Sequence, residues 1–210
     1  MKRIDVYFSF RSPYSYLATP DILKIQDDYN VEVALRVVLP LAVRDPKAIF
    51  SAENAPRARY IGLDAPRRAA FLGMPFKWPK PDPIVQDMAT LSIADEQPHI
   101  YRLCRLGVEA ERRGRGPAFA AEVSALIFSG EKDWSDHANM VAAVARAGLD
   151  LDAMDAAICD GDHDQEIEAN QEALTRAGQW GVPTFVLDGE PFFGQDRVDT
   201  LRWRLDQLAL

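Results

Sequence analysis

Three short segments carry residue types at spacings that could do chemistry. The first is Ser12-Pro13-Tyr14-Ser15, where a strand-like pattern gives way to a helical one. A helix start presents unpaired backbone N–H groups and the positive end of the dipole, so an anion placed there is stabilised. A serine hydroxyl there is no thiolate, but it can donate a hydrogen bond to a thiolate carried by a ligand. The plain alternative is an N-cap serine. The second segment is Trp180-Gly181-Val182-Pro183-Thr184. A proline opening a strand is a place for a cis X-Pro bond. Val182 would then offer its backbone N–H and C=O to an extended peptide ligand, as in strand addition; the alternative is a trans proline that starts an edge strand. The third segment, Phe193-Gly194-Gln195-Asp196-Arg197, again leads into a helix. Its N–H groups suit a carboxylate and Asp196 suits an ammonium group, together the two ends of an amino acid. Asp196 is equally well placed as a helix N-cap.

Other chemistries find less support. His99, His137 and His163 are scattered, with no pair at ligand spacing, so no metal is expected. No G-x-S-x-G elbow supports a serine hydrolase. Cys104 and Cys159 lie in no paired motif and read as reduced, buried thiols of a cytosolic protein. Tyr14, Tyr16, Phe76 and Trp78 fit core packing better than the lining of a pocket. The chain's 210 residues carry a net charge of −8, which argues against nucleic acid, whose binders need a basic face. With 48% hydrophobic and 27% charged residues it is an ordinary globular composition. No apolar run approaches the roughly 18–20 residues of a membrane span. Lys2 and Arg3 are followed at once by Asp5 and by no cleavable apolar region, so no targeting segment is expected. The net charge hides a division: residues 36–80 hold nine Lys/Arg against three acids, while residues 149–172 hold nine acids and no Lys or Arg. The basic stretch either attracts a small anionic ligand or pairs with the acidic one.

These segments need elements to position them. Ile4 to Phe10 alternates apolar and polar residues as a strand does, and Tyr14 to Gln26 has helical spacing. Val31 to Val38 is a second strand. Residues 40–83 are broken by prolines around a helical stretch at Arg57–Leu72. From Pro83 to about Ala177 the chain reads as successive helices, including Ala118–Phe128 and His137–Ala147, with Gly130 and Gly148 as stops. Strands return at Pro183–Leu187 and Pro191–Phe193 around an Asp188-Gly189 turn, before a last amphipathic helix over Asp196–Leu208. The order β-α-β, helical block, β-β-α describes an α/β, thioredoxin-like fold with a large helical insertion. Residues 1–39 and 178–210 would form the thioredoxin-like part, and residues 40–177 the insertion. At the Ser12 junction, thiol-disulfide enzymes carry Cys-x-x-Cys; both positions are serine here, so disulfide exchange through them is excluded.

The run Phe8-Ser9-Phe10-Arg11-Ser12-Pro13-Tyr14-Ser15-Tyr16-Leu17-Ala18, with Gly181-Val182-Pro183-Thr184-Phe185 and Phe193-Gly194-Gln195-Asp196-Arg197, resembles the 2-hydroxychromene-2-carboxylate isomerases. These are relatives of kappa-class glutathione transferases within the DsbA-like thioredoxin group. The resemblance extends through Tyr60, Asp64, Arg67, Gly73, Pro75-Phe76, Trp78-Pro79 and Pro83-Ile84-Val85-Gln86-Asp87. It implies a cytoplasmic homodimer that uses glutathione as cofactor on a small aromatic carboxylate, with no nucleic-acid or membrane partner. Ser12 matches the serine that holds the glutathione sulfur. Val182, before Pro183, matches the residue whose backbone pairs with the cysteinyl unit. Gly194, Gln195 and Asp196 match the loop that binds the γ-glutamyl end. Arg44, Asn54 and Arg57 are the candidates for the substrate carboxylate, although residues 40–57 depart most from the family pattern. The implied mechanism is reversible addition of the glutathione thiolate, bond rotation and elimination, which regenerates glutathione. A kappa-like transferase would retain the conjugate instead, and a non-catalytic thioredoxin-like binding module would need no glutathione.

Overall fold

The structure is a computed structural model that describes residues 1–45, 55–87, 92–159 and 161–208. Four strands come from the two ends of the chain. β1 (Lys2–Phe8) pairs in parallel with β2 (Val31–Val37), Ile4 lying opposite Val33 and Phe8 opposite Val37. β3 (Thr184–Leu187) pairs antiparallel with the other edge of β1, and β4 (Glu190–Phe193) with β3, giving the order β2-β1-β3-β4. Asp188 (φ +52) and Gly189 (φ +83) both take left-handed backbone, which a two-residue hairpin requires. The turn chemistry read from Asp188-Gly189 therefore matches the structure.

A parallel pair needs a crossover. Here it is two helices, α1 (Pro13–Leu17) and α2 (Thr19–Asp28), where the sequence predicts one helix over Tyr14–Gln26. Pro20 is the reason for the break. It has no N–H to give the Tyr16 carbonyl, and the Thr19 hydroxyl donates to that oxygen instead, at 2.8 Å.

Then follow α3 (Leu41–Arg44) and α4 (Ala55–Leu72), which tolerates Pro66 within it. The helical block continues with α5 (Ile100–Arg112), α6 (Gly116–Ser129), α7 (His137–Arg146), α8 (Leu151–Cys159) and α9 (His163–Arg176). Gly130 (φ +66) and Gly148 (φ +78) sit just past the ends of α6 and α7, as expected of helix stops. The last helix differs from expectation. Asp196 does not cap it: Gln195–Arg197 form a 3-10 turn, and α10 (Val198–Gln207) follows with no side-chain cap bond at its N-cap residue, Arg197.

Both α5 and α6 pack on β2, and α6 also packs on α1 and α2, so the block covers one face of the sheet. Phe8, Phe10 and Phe119 are fully buried where they meet, ring centres 5.3 and 5.7 Å apart in edge contacts. This is an α/β thioredoxin-like fold with helical elements between its two strand-bearing ends. Among the described residues no helix is long and apolar enough to cross a membrane. Cys104 and Cys159 are both free thiols; Cys104 is buried, which pushes its thiol far above the ordinary range, whereas Cys159, at the end of α8, is exposed and not buried as the sequence suggests.

Among the described residues, the ion pairs of the acidic stretch with arginine lie within the helical block. Asp155 binds Arg102, Asp164 binds Arg105, and Asp162 and Glu166 bind Arg112, all from α5.

Candidate active site

Ser12 ends the loop after β1 in extended conformation, and its Oγ accepts the Ser15 N–H at 3.1 Å, capping α1. The cap does not exhaust the hydroxyl, which also donates to the Val182 carbonyl at 3.4 Å, a long bond across 170 residues of chain. A charged acceptor would compete well for that proton, because charge-assisted hydrogen bonds are shorter and about twice as strong. The Val182–Pro183 peptide is cis. Among the described residues no backbone carbonyl is bonded to the Val182 N–H.

The third segment joins through the backbone, the Gly194 N–H donating to the Pro183 carbonyl at 2.9 Å. Gly194 has φ +111, and a Cβ there would stand 2.5 Å from Oδ1 of Asp196, so only glycine leaves this turn intact. The 3-10 turn packs against α1. Gln195 is buried, while the Asp196 carboxylate is exposed and pairs loosely with Arg197 at 3.6 Å. The structure thus brings Ser12, Val182, Pro183, Gly194, Gln195 and Asp196 to one end of the sheet, where β1 and β4 finish and β3 begins.

One wall comes from α4. Arg68 Nε donates to Oε1 of Gln195 at 2.9 Å. Tyr14 donates to Asp64 at 2.7 Å, and Arg67 pairs with the same carboxylate at 2.5 Å. Arg67 chiefly, with bonds from Tyr14 and Tyr60, holds the Asp64 carboxyl below the usual carboxylate range. Burial and the bond to Asp64 raise the Tyr14 phenol well above its ordinary value. Arg11, the residue before Ser12, is fixed by two bonds to Asp82 at 2.9 and 3.0 Å.

The proposed substrate residues divide. Asn54 lies outside the described residues. Arg44 donates to the Leu39 carbonyl at 2.7 Å and to the Trp180 carbonyl at 3.0 Å, and burial lowers its pKa. Arg57 lies over the Trp180 indole, 4.4 Å from the ring centre. Both therefore reach the Pro183 loop at Trp180. Arg68 and Asp64, members of the charged stretch 36–80, join the site through α4 although the sequence assigns neither a ligand role. Their signal was present: residues 57, 61, 64 and 68 share one face of a helix. Tyr16 and Phe76 pack around Phe128, as expected of core aromatics, whereas Tyr14 faces Asp64.

Of the histidines, His163 is buried against Glu109 at 3.0 Å and His99 packs edge-on against Trp134. Among the described residues no group of three or more His, Cys, Asp or Glu could hold a metal ion.

Comparison with known proteins agrees with this fold. The chain is 23% identical to a 2-hydroxychromene-2-carboxylate isomerase of Pseudomonas putida over 212 residues, covering 98% of this chain and 95% of that protein. A solved structure of 2-hydroxychromene-2-carboxylate isomerase superposes with a TM-score of 0.71 at 20% identity, covering 99% of this chain and 96% of that one. The cytosolic disulfide reductase DsbM of Pseudomonas aeruginosa, solved with GSH, superposes with a TM-score of 0.63 at 17% identity, covering 99% and 100%. The model of the DSBA-like thioredoxin domain matches residues 3–206, and the chain belongs to that family.

Proposed function

We propose that the protein is a glutathione-dependent isomerase of an aromatic carboxylate, of the type that converts 2-hydroxychromene-2-carboxylate to trans-o-hydroxybenzylidenepyruvate. One observation carries the reading: a serine hydroxyl, not a thiol, faces the cis Val182–Pro183 peptide, with a second serine at position 15. A site that cannot exchange disulfides yet keeps this geometry is suited to hold a thiol that arrives with a ligand. The relatives' names point the same way.

The residues present fit glutathione. The Val182 N–H has no backbone carbonyl partner among the described residues, Gly194 keeps the neighbouring turn free of a Cβ, and the exposed Asp196 carboxylate suits an ammonium group. Arg68 and Gln195 bring a guanidinium and an amide to the same loop for a carboxylate. When bound, glutathione supplies a nucleophilic thiol that adds reversibly to a conjugated substrate and is returned unchanged.

The chain's own residues set the conditions for that chemistry. Ser12 turns its proton from the Val182 carbonyl toward the sulfur and favours the ionised thiol. Arg11, clamped to Asp82, fixes the backbone leading into Ser12. Arg57, at the Trp180 end of the loop, meets the substrate carboxylate, and Arg44 holds the loop by its backbone. The reading includes a cytoplasmic homodimer.

Turnover of 2-hydroxychromene-2-carboxylate in the presence of sub-stoichiometric glutathione tests the reading. The expected result is the trans-benzylidenepyruvate with glutathione undiminished. Accumulation of a glutathione conjugate would make the protein a transferase, and absence of both turnover and glutathione binding would reject both enzymes.

A further inference from the structure

Residues 77–80 and 130–134, with Ile127 of α6 between them, line a cleft of about 560 Å³, within the roughly 300–1,000 Å³ of small-molecule sites. It shares no residue with the Ser12 site. Two bonds hold its walls together. The Lys77 N–H donates to the Phe128 carbonyl at 2.6 Å, and Trp134 Nε1 donates to the Pro81 carbonyl at 2.7 Å. Both indoles of the lining are anchored. Trp78 meets Phe76 nearly at right angles, ring centres 5.2 Å apart, and Phe76 packs on buried Phe128. Trp134 is buried, with His99 edge-on against it. Trp78 nevertheless exposes 45% of its surface, so a braced aromatic ring stays open to a ligand.

The charges of the lining are unequal. Lys77, Lys80 and Lys132 all border the cleft, and among the described residues none has a carboxylate within ion-pair distance. Lys77 lies across Gly130, where a Cβ would stand 2.4 Å from its Cδ, so only glycine leaves that lysine in place. Glu131 and Asp133 bring two carboxylates to the same lining. Asp133 is engaged, accepting from the Ser135 N–H at 2.9 Å and the Ser135 hydroxyl at 2.7 Å, and these bonds hold its carboxyl below the usual range. Three ammonium groups against two carboxylates leave one positive charge in excess, which favours a singly charged anion.

We propose that this cleft is a second ligand site, which takes a small planar aromatic monocarboxylate, its ring against Trp78 and its carboxylate among the three lysines. The site stands apart from the isomerase reading and uses the part of the basic stretch 36–80 that the Ser12 site leaves aside.

Titration with 2-naphthoate tests the site, read by calorimetry and by the indole N–H resonances of isotope-labelled protein. Saturable binding should move the Trp78 and Trp134 signals, and Ser12→Ala should leave it unchanged. The uncharged 2-naphthylmethanol and the non-aromatic cyclohexanecarboxylate should each bind about fivefold more weakly, or worse. Lys77→Met with Lys132→Met removes two charges and keeps the stem across Gly130; affinity for 2-naphthoate should fall about five- to tenfold at an unchanged melting temperature. Trp78→Leu should cost about fivefold, and Trp78→Phe, which keeps a ring, should retain most of the affinity. Equal binding of the acid and the alcohol, or wild-type affinity in the double lysine variant, would overturn the proposal. So would a titration that moves Trp180 alone and is lost in Arg57→Ala, which would return the acid to the Ser12 site. No binding at millimolar 2-naphthoate would also overturn it, while glutathione-dependent isomerisation would stand or fall on its own test.

Discussion

The arginines of α5 and those around the Pro183 loop have the same side chain and opposite companions. On α5, Arg102 grips Asp155 at 2.7 and 2.5 Å, Arg105 grips Asp164 at 2.8 and 2.6 Å, and Arg113 pairs with Glu109 at 2.7 Å. Each such charge is cancelled by a carboxylate of the same helix or of α8 or α9. At the loop, Arg44 bonds two carbonyls and Arg68 bonds an amide, and among the described residues neither has a carboxylate within ion-pair distance. Neutral acceptors satisfy the N–H groups but leave the charge. The α5 band therefore ties helices together, whereas the loop arginines keep positive potential at the site proposed to receive anions.

The largest expected effect lies at the site. Ser12→Ala should lower turnover by about 10–1000-fold, the range for losing one donor to a developing anion, with the melting temperature little changed. Near-wild-type turnover would remove Ser12 from the chemistry. The helical block should give the reverse pattern. Glu109→Ala leaves buried His163 without its partner and should cost about 1–3 kcal/mol of stability while glutathione affinity stays at the wild-type level. Denaturant melts and calorimetry on one preparation read both quantities, and a fall in affinity would blur the division.

Arg68→Ala should weaken glutathione binding about tenfold, as for a lost hydrogen bond to a charged group, without lowering stability appreciably. Asp196→Ala, at an exposed carboxylate screened by solvent, should weaken it only about two- to fivefold. A large stability loss in Arg68→Ala would make that arginine another structural clamp.

The smallest effect is a pH dependence. Burial would raise Glu109, but bonds from His163 and Arg113 outweigh it and hold the carboxyl below its usual range; Arg105 does the same for Asp164, and Arg67 for Asp64. Carboxyls depressed in the folded state contribute stability above their unfolded values, about 4, and lose it as pH falls through the folded ones. Stability should therefore decline below about pH 4, and the decline should be shallower in Glu109→Gln. An unchanged slope would contradict that role for Glu109.

Much of the architecture is readable from local pattern. Strand alternation over Ile4–Phe10, the Asp188-Gly189 turn and the Gly130 and Gly148 stops depend on neighbours in sequence; the turn and the stops appear where the pattern places them, and the strand runs over Lys2–Phe8, two residues earlier at each end. The three candidate segments are legible for the same reason, and each is a turn entering an element. Long-range partnership is not legible. Nothing in residues 149–172 says that their carboxylates meet the arginines of α5, because residues 36–80 offer equally suitable charges. The division of α1 from α2 at Pro20, and the 3-10 turn that takes Asp196 away from a capping position, are local events that the apolar spacing conceals. Arg68 escaped notice because its partner, Gln195, lies 127 residues away.

Calorimetric titration with reduced glutathione, beside S-methylglutathione, tests the central claim most directly. Wild-type protein should bind both saturably, and Ser12→Ala should lose affinity for reduced glutathione alone, since only that ligand carries a thiolate for Ser12 to hold. No binding at millimolar glutathione, or equal binding of reduced glutathione by both proteins, would contradict the assignment of Ser12 to a ligand's sulfur.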